Sequence, residues 1–304
     1  MGRSYYPFKT RFTRMLILAC CMVASLVQAD SVGLVVENKS PQTVAFYTQL
    51  ADMTPDHDIQ LYSLDNLPDD LSTTPVDRWV AMGAKSLAIM LGRLNSQKPA
   101  LGLFVSEQAI TKLTSLYPKA KYSILDNTPT LDRQLALIKA IDPQVKSIAY
   151  YHADDATAPS TALIKMAKSL KLDLNASPLP DPLNWERDSL KALKDSDVVM
   201  GIDDSGVYNA TTIRSILMRL YRANKPLFGP DKGYVRAGAV ASTYSGVKET
   251  LQATAQLLNS TKPWPRVIKN PYYDVSINEQ VARSLNLTLD PPEKIRAKME
   301  ALLP

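Results

Sequence analysis

The chain has 304 residues, enough at about 150 residues per domain for two domains with full cores. Hydrophobic residues at 45% and charged residues at 21% are ordinary globular values and exclude a disordered, fibrous or disulfide-scaffold chain. The formal charge of +5 is gathered at the start, where Arg3, Lys9, Arg11 and Arg14 stand without an acid; without those four, 31 basic residues face 30 acidic ones, too even a balance for phosphate-backbone binding, so no nucleic-acid partner is expected.

The basic opening runs into the apolar stretch 15–27 and then Val27-Gln28-Ala29, the layout of a secretory signal cut after Ala29. Its 13 residues rise about 20 Å as a helix against a hydrocarbon core of about 30 Å, so the stretch reads as a cleaved leader rather than an anchor. Both cysteines, Cys20 and Cys21, lie inside it. The mature chain is therefore expected to hold no thiol, which excludes disulfides, thiolate catalysis and Cys-ligated metals. Lipidation at Cys20 is the alternative, since Ile17-Leu18-Ala19 precedes it. A bacterial, periplasmic location follows from the leader.

Short apolar runs then alternate with amphipathic stretches, the sign of βα units and a parallel sheet. Strands are predicted at Val32–Val36, Ile59–Leu64, Ser86–Leu91, Leu101–Val105 and Tyr122–Leu125. Ser40-Pro41 gives a cap and a first-turn proline for a helix running to about Asp52. After the polar segment Asp126-Asn127-Thr128-Pro129 the pattern restarts. A helix is predicted at Leu131–Ile141, a strand at Ser147–Tyr151, a helix at Thr161–Leu170, a strand at Leu172–Ala176 and a helix at Trp185–Lys194. A strand at Val198–Asp203 and a helix at Val207–Ala223 follow. Such a restart argues for two α/β lobes rather than one long sheet. A strand near Ala239–Thr243, a helix near Gly246–Asn259, the connector Lys262-Pro-Trp-Pro265 and a last pair at Tyr273–Ile277 and Glu279–Leu285 are too few for a third domain. Trp79 and Trp185 read as helix residues packed on a sheet, and Trp264 as a packed connector.

Chemistry is sparse. His57 sits in the loop Thr54-Pro-Asp-His-Asp58, and His152 ends a predicted strand; neither has a partner at metal-ligand spacing. There is no Gly-x-Ser-x-Gly elbow, no phosphate loop and no dinucleotide fingerprint, so no cofactor, metal or catalytic residue is expected and the chain is read as a non-enzyme. Acid pairs occur at Asp69-Asp70, Asp154-Asp155 and Asp203-Asp204. Asp203 and Asp204 point to opposite sides of a strand end, so one can face a cleft while the other serves a turn or helix cap. Tyr150, Tyr151, Tyr208, Tyr234 and Tyr244 fall at strand ends or loops, where several on one rim would wall a ligand.

The stretch from Asp126 to Pro143, followed by Ser147-Ile-Ala-Tyr-Tyr151, resembles the pivot of the ABC-transporter periplasmic substrate-binding family whose characterised relatives take aromatic amino acids. Ser196–Asp204, Lys225-Pro-Leu-Phe-Gly229, Tyr234–Ser242 and Val275–Leu287 continue the resemblance, in order, over residues 83 to 290. It implies a type I periplasmic binding fold, α/β, with two Rossmann-like lobes, parallel sheets and three crossovers. Lobe 1 is then expected over 30–127 and 240–263, and lobe 2 over 128–239 and 264–304. Position by position, it implies ligand contacts from Gly83 and Ser86, from Ser106 and Glu107, from Asp126 and Thr128 at the pivot, from Tyr151, from Asp203 or Asp204, and from Asp231 and Tyr244. Ala84 and Glu107 depart from the family's hydroxyl and shorter acid. The function implied is capture of a small ligand, an amino acid or similar, by a monomer that delivers it to an ABC permease. A sensory or partner-binding subunit presenting the same clamshell to an envelope receptor is the alternative.

Overall fold

The computed structural model describes residues 30–94, 98–153, 157–179 and 185–303; the expected leader with Cys20 and Cys21, and the pair Asp154-Asp155, lie outside them. The first βα series forms β1 (Asp30–Val36), α1 (Pro41–Met53), β2 (His57–Ser63), β3 (Arg78–Met82), α2 (Ala84–Arg93), β4 (Ala100–Leu103), α3 (Glu107–Leu116) and β5 (Ser123–Asp126). Ser40 closes a capping box on Thr43 and Pro41 enters the first turn of α1, as the sequence signals. The second series begins at α4 (Leu131–Ile141) and β6 (Ser147–His152), then α5 (Thr161–Ser169) and β7 (Asp173–Pro178). It continues with α6 (Trp185–Asp188), α7 (Leu190–Lys194), β8 (Val198–Met200), α8 (Ile213–Arg222), β9 (Leu227–Phe228), α9 (Lys232–Ala237) and β10 (Ala241–Tyr244). The chain closes with α10 (Val247–Leu258), β11 (Val267–Lys269), β12 (Asp274–Ile277), α11 (Glu279–Ser284) and α12 (Pro292–Glu300).

Among the described residues the strands make two six-stranded sheets, β11-β5-β4-β3-β1-β2 and β12-β10-β9-β8-β6-β7. Every pair is parallel except β10 with β12. Helices cover the sheets and give each lobe its own core. The second lobe's gathers around Tyr150, Tyr151, Phe228 and Leu137, and the first lobe's falls into two clusters, one around Leu34, Leu101 and Phe46 and one around Val35, Trp79 and Leu87. This is a two-lobe α/β fold with three crossings, at 126–131, 244–247 and 269–274.

Two expectations are corrected. Ser86–Leu91 is not a strand but the middle of α2: Ser86, Leu87, Met90 and Leu91 are buried at helical spacing. The strand is Arg78–Met82, and Trp79 belongs to it rather than to a helix. The second and third crossings also fall later than expected, while the first lies at the polar segment after Asp126. Ala241–Tyr244 is still in the second sheet, against Phe228 and the strand 274–277, and residues 267–269 rejoin the first sheet beside β5. A three-residue edge strand after Pro263 and Pro265 carries too few apolar positions to show in the sequence.

Trp79 is fully buried and lies opposite Gly33 in the β1–β3 register. A Cβ at Gly33 would meet the indole at 2.4 Å, so only glycine lets that ring cover the strand. Gly33→Ala is expected to destabilise the first lobe by about 2–3 kcal/mol, the upper range of core overpacking, read as a lower urea midpoint; Gly33→Ala combined with Trp79→Leu should recover part of the loss.

Candidate functional site

In open α/β sheets ligands bind outside the carboxyl ends of the strands, where loops and helix starts converge. Here that edge of the second sheet opens into a cavity of about 1010 Å³. Tyr150 and Ile202 enter it from the strand ends, Thr128, Pro129 and Lys269 from two crossings, and Asp203 from the turn after β8. Ser160 caps α5 through a bond from Leu163 N at 3.2 Å, and Ser160 and Thr157 also line the opening.

Alternation along β6 separates its two tyrosines. Tyr150 lines the cavity and donates its hydroxyl to Thr157 O at 2.6 Å. Burial, with Asp204 adding, pushes its phenol up to about 12, so it stays protonated. Tyr151 points the other way into the core, edge-on to Trp185 at 4.8 Å, with its hydroxyl donating to Ser189 O at 2.9 Å. The expected cleft wall at Tyr151 is therefore corrected to Tyr150.

The same alternation divides the acids. Asp203 is exposed and lines the cavity. Asp204 is buried and saturated: it accepts from Thr157 Oγ1 at 2.6 Å, Ala153 N at 2.8 Å, Gly206 N at 2.8 Å and Val207 N at 3.2 Å. Burial raises its pKa, but these four bonds outweigh it and hold the carboxyl below the ordinary 3.8. Asp204 is thus a brace between the β6 and β8 loops, not a ligand contact.

Thr128 lines the cavity, and Asp126 sits behind it, accepting from Thr128 N at 2.8 Å and paired with Lys269. Burial raises the Asp126 pKa, and the Lys269 and Thr128 bonds together reverse that shift and lower it. Asp231 is spent as the cap of α9, accepting from Gly233 N at 2.5 Å and Tyr234 N at 3.3 Å. Tyr244 carries Lys232 Nζ over its ring at 4.1 Å. Neither lines the cavity.

The first-lobe residues stand at the matching edge of their own sheet and do not line the cavity. Gly83, at a φ of +88° that favours glycine, starts α2 and donates to Leu103 O at 2.8 Å. Ser86 is buried in the first turn of α2. Ser106 caps α3 through Ala109 N at 3.4 Å. Glu107 opens α3, and its side chain lies outside those described.

Sequence reasoning does not single out Tyr150 from its neighbouring tyrosines and does not reach Thr157, Asp132 at the start of α4, or Lys269, all of which line the cavity. Period-2 alternation puts Tyr150 on the face of Ile148 and Tyr151 on the other, but β6 is buried on both faces, so alternation alone does not choose between them. Lys269 carried no signal, since its strand was not predicted.

Because the folded-state pKa values of Asp204 and Asp126 lie below their unfolded value, both add stability above pH 4 that is lost as pH falls through the folded value. Asp204→Ala is expected to cost at least ~3 kcal/mol at pH 7, because four donors lose a charged acceptor. Asp204→Asn should in addition flatten the loss of melting temperature between pH 5 and pH 2, checked by circular dichroism melts across that range.

No family model matches the sequence, and no curated protein matches it. Solved structures do. A substrate-binding protein with adhesive properties from Clostridium difficile, in its ligand-free, open form, is 16% identical over 88% of this chain and 98% of its own, at a TM-score of 0.60. A conserved domain protein from Vibrio cholerae is 19% identical over 89% and 98%, at 0.47. An ABC domain in complex with L-Trp from Streptococcus pneumonia is 15% identical over 88% and 98%, also at 0.47. At such identities the likeness concerns the backbone, and the similarity at 0.60 agrees with the two sheets and three crossings described above. The chain has the fold of the type I periplasmic binding proteins.

Proposed function

We propose that the protein captures a small solute between its lobes, releases it unaltered, and hands it to an ABC permease in the bacterial envelope. The cavity carries this reading: it opens at the carboxyl edge of the second sheet and is walled in part by Thr128 and Lys269, residues of the crossings themselves. A ligand seated there touches the hinge and one lobe. Closure would then bring Gly83 and Ser106 across from the first lobe, contacts that only the closed state makes, so occupancy shifts the open–closed balance.

Asp203 supplies a carboxylate at the mouth, and Thr128, Thr157 and Tyr150 supply hydroxyl-bearing side chains. The energy is modest: micromolar capture needs about 8 kcal/mol, about 0.5 kcal/mol per atom for a 15-atom solute, below the ceiling near 1.5. Among the described residues no helix is long and apolar enough to cross a membrane. A cleaved leader before Asp30 completes the proposal, with the mature chain acting as a monomer in the periplasm.

A thermal-shift panel of amino acids, short peptides, sugars, organic acids and amines on the chain from Asp30 should contain a compound that raises the melting temperature by several degrees at 100 times its Kd. Asp203→Ala should weaken that compound by tenfold to a hundredfold, the range for a charged hydrogen bond, with the unliganded melt of the variant as its reference. No shift with any compound, together with identical small-angle scattering with and without the panel, would remove solute capture.

A further inference from the structure

We infer that the helical face of the second lobe formed by α7 and α8 is a docking surface for an anionic phospholipid bilayer. This surface and solute capture are independent, since no residue lining the cavity lies on α6, α7 or α8. Between Asp204 and Asp231 the chain carries Arg214, Arg219, Arg222 and Lys225 and no acid at all. The even charge balance of the whole chain conceals this local excess. Lys225 is spent on Ser196 O, and the three arginines remain, all on α8.

That helix divides its sides. Ile216 and Leu220 are buried in the lobe core. Arg214, Met218, Tyr221 and Arg222 are exposed at offsets of four, seven and eight residues, which puts them in one stripe about 12 Å long at 1.5 Å per residue. Met218 is 50% exposed and Tyr221 61%, so packing within the lobe accounts for neither. α6 packs against α8, and α7, one residue further on, adds Leu190, 47% exposed, with Lys191 and Lys194 exposed beside it. Apolar tips therefore stand among cations across both helices.

Among the described residues no carboxylate pairs with Lys191, Lys194, Arg214, Arg219 or Arg222. Asp188 is paired with Arg187, and Asp197 accepts from Lys146 N and Ser147 N, which leaves Asp195 beside those cations; the Glu186 side chain lies outside those described. Phosphate oxygens are the complement: an arginine fork binds them in pairs, a lysine reaches them on a flexible stem, and a tyrosine between cations sits at headgroup depth. An acidic protein would need a pocket for its anchoring side chains. One side of a helix is convex, and a fluid surface fits it without a pocket. Each basic residue at an anionic bilayer strengthens binding about fivefold, so the contact is a reversible adsorption rather than an anchor.

The test is co-sedimentation of the chain from Asp30 with vesicles of phosphatidylglycerol mixed one to two with phosphatidylcholine, beside vesicles of phosphatidylcholine alone. Binding should favour the anionic vesicles at least tenfold and fade as salt shortens the screening length from about 10 Å at 0.1 M to about 3 Å at 1 M. Arg214→Gln combined with Arg222→Gln should weaken it by about 25-fold, fivefold for each charge. Met218→Ser combined with Tyr221→Ser should weaken it severalfold with the charge intact. Lys112→Gln combined with Lys119→Gln removes the same charge from exposed sites of the first lobe and should leave binding unchanged. All six positions are exposed, and melts by circular dichroism verify that each variant folds. Equal binding to both kinds of vesicle, or an equal loss in the first-lobe pair, overturns the docking face, because adsorption then follows overall composition or charge. Binding to a polyglutamate peptide and to neither vesicle overturns the bilayer and assigns the stripe to an acidic protein. Binding to no probe overturns the inference outright.

Discussion

The two lobes depend on one buried amide. Asn270 is 2% exposed, and each of its polar groups is used: its N–H donates to Asp126 O at 2.9 Å, its Nδ2 to Asn127 Oδ1 at 2.8 Å, its Oδ1 accepts from Tyr272 N at 2.9 Å, and its carbonyl accepts from Arg133 at 2.9 Å. Asn127 passes the network on to Thr250 Oγ1 of α10 at 2.9 Å. All three crossings thus meet in one set of hydrogen bonds, because Ser245 also donates to Tyr272 O at 2.7 Å. A satisfied buried network is stiff, and losing one member strands the others. Thr128, which follows this network, is also a cavity wall, so the cavity adjoins the segment that joins the two lobes.

The lobes were legible from the sequence because their signal is long-range. The restart after Asp126, the Ser40-Pro41 start of α1 and the apolar face of Leu131–Ile141 each rest on several residues, and the described residues place each as expected. Where the reading failed, the competing signal was local. Leu87 to Leu91 is an unbroken apolar run that serves a strand or a buried helix equally; Gly83 starting the helix decides it, at a left-handed φ visible only in the backbone. Residues 267–269 are flanked by prolines and lie at a sheet edge with Val267 exposed, so neither composition nor burial marks them. Short strands take their identity from the neighbour they pair with, here β5.

The candidate site was half legible for the same reason. Residue type and strand-end position point to the dipeptides Tyr150-Tyr151 and Asp203-Asp204, one member of each of which lines the cavity, but the face is a question of parity. A one-residue error sends a side chain to the opposite side of the sheet. Asp231 illustrates the other failure. An acid before Lys232-Gly233 has the pattern of a helix cap, and capping is what it does. Asp203, by contrast, is exposed on the cavity.

Within each dipeptide one member holds the scaffold so that the other can be presented. Asp204 ties Ala153 and Thr157 on one loop to Gly206 and Val207 on another, and that brace fixes the backbone from which Asp203 projects. Tyr151 locks the far face of β6 onto Trp185 and Ser189, while Tyr150, one residue back, hydrogen-bonds Thr157 and closes the loop over the cavity mouth. Thr157 receives both constraints: its hydroxyl goes to Asp204 and its carbonyl to Tyr150. These bonds hold the cavity mouth from within the protein itself. On the proposed capture of a solute, the conformational cost of binding would fall mainly on lobe closure, where differential contact can shift a population, rather than on ordering the site.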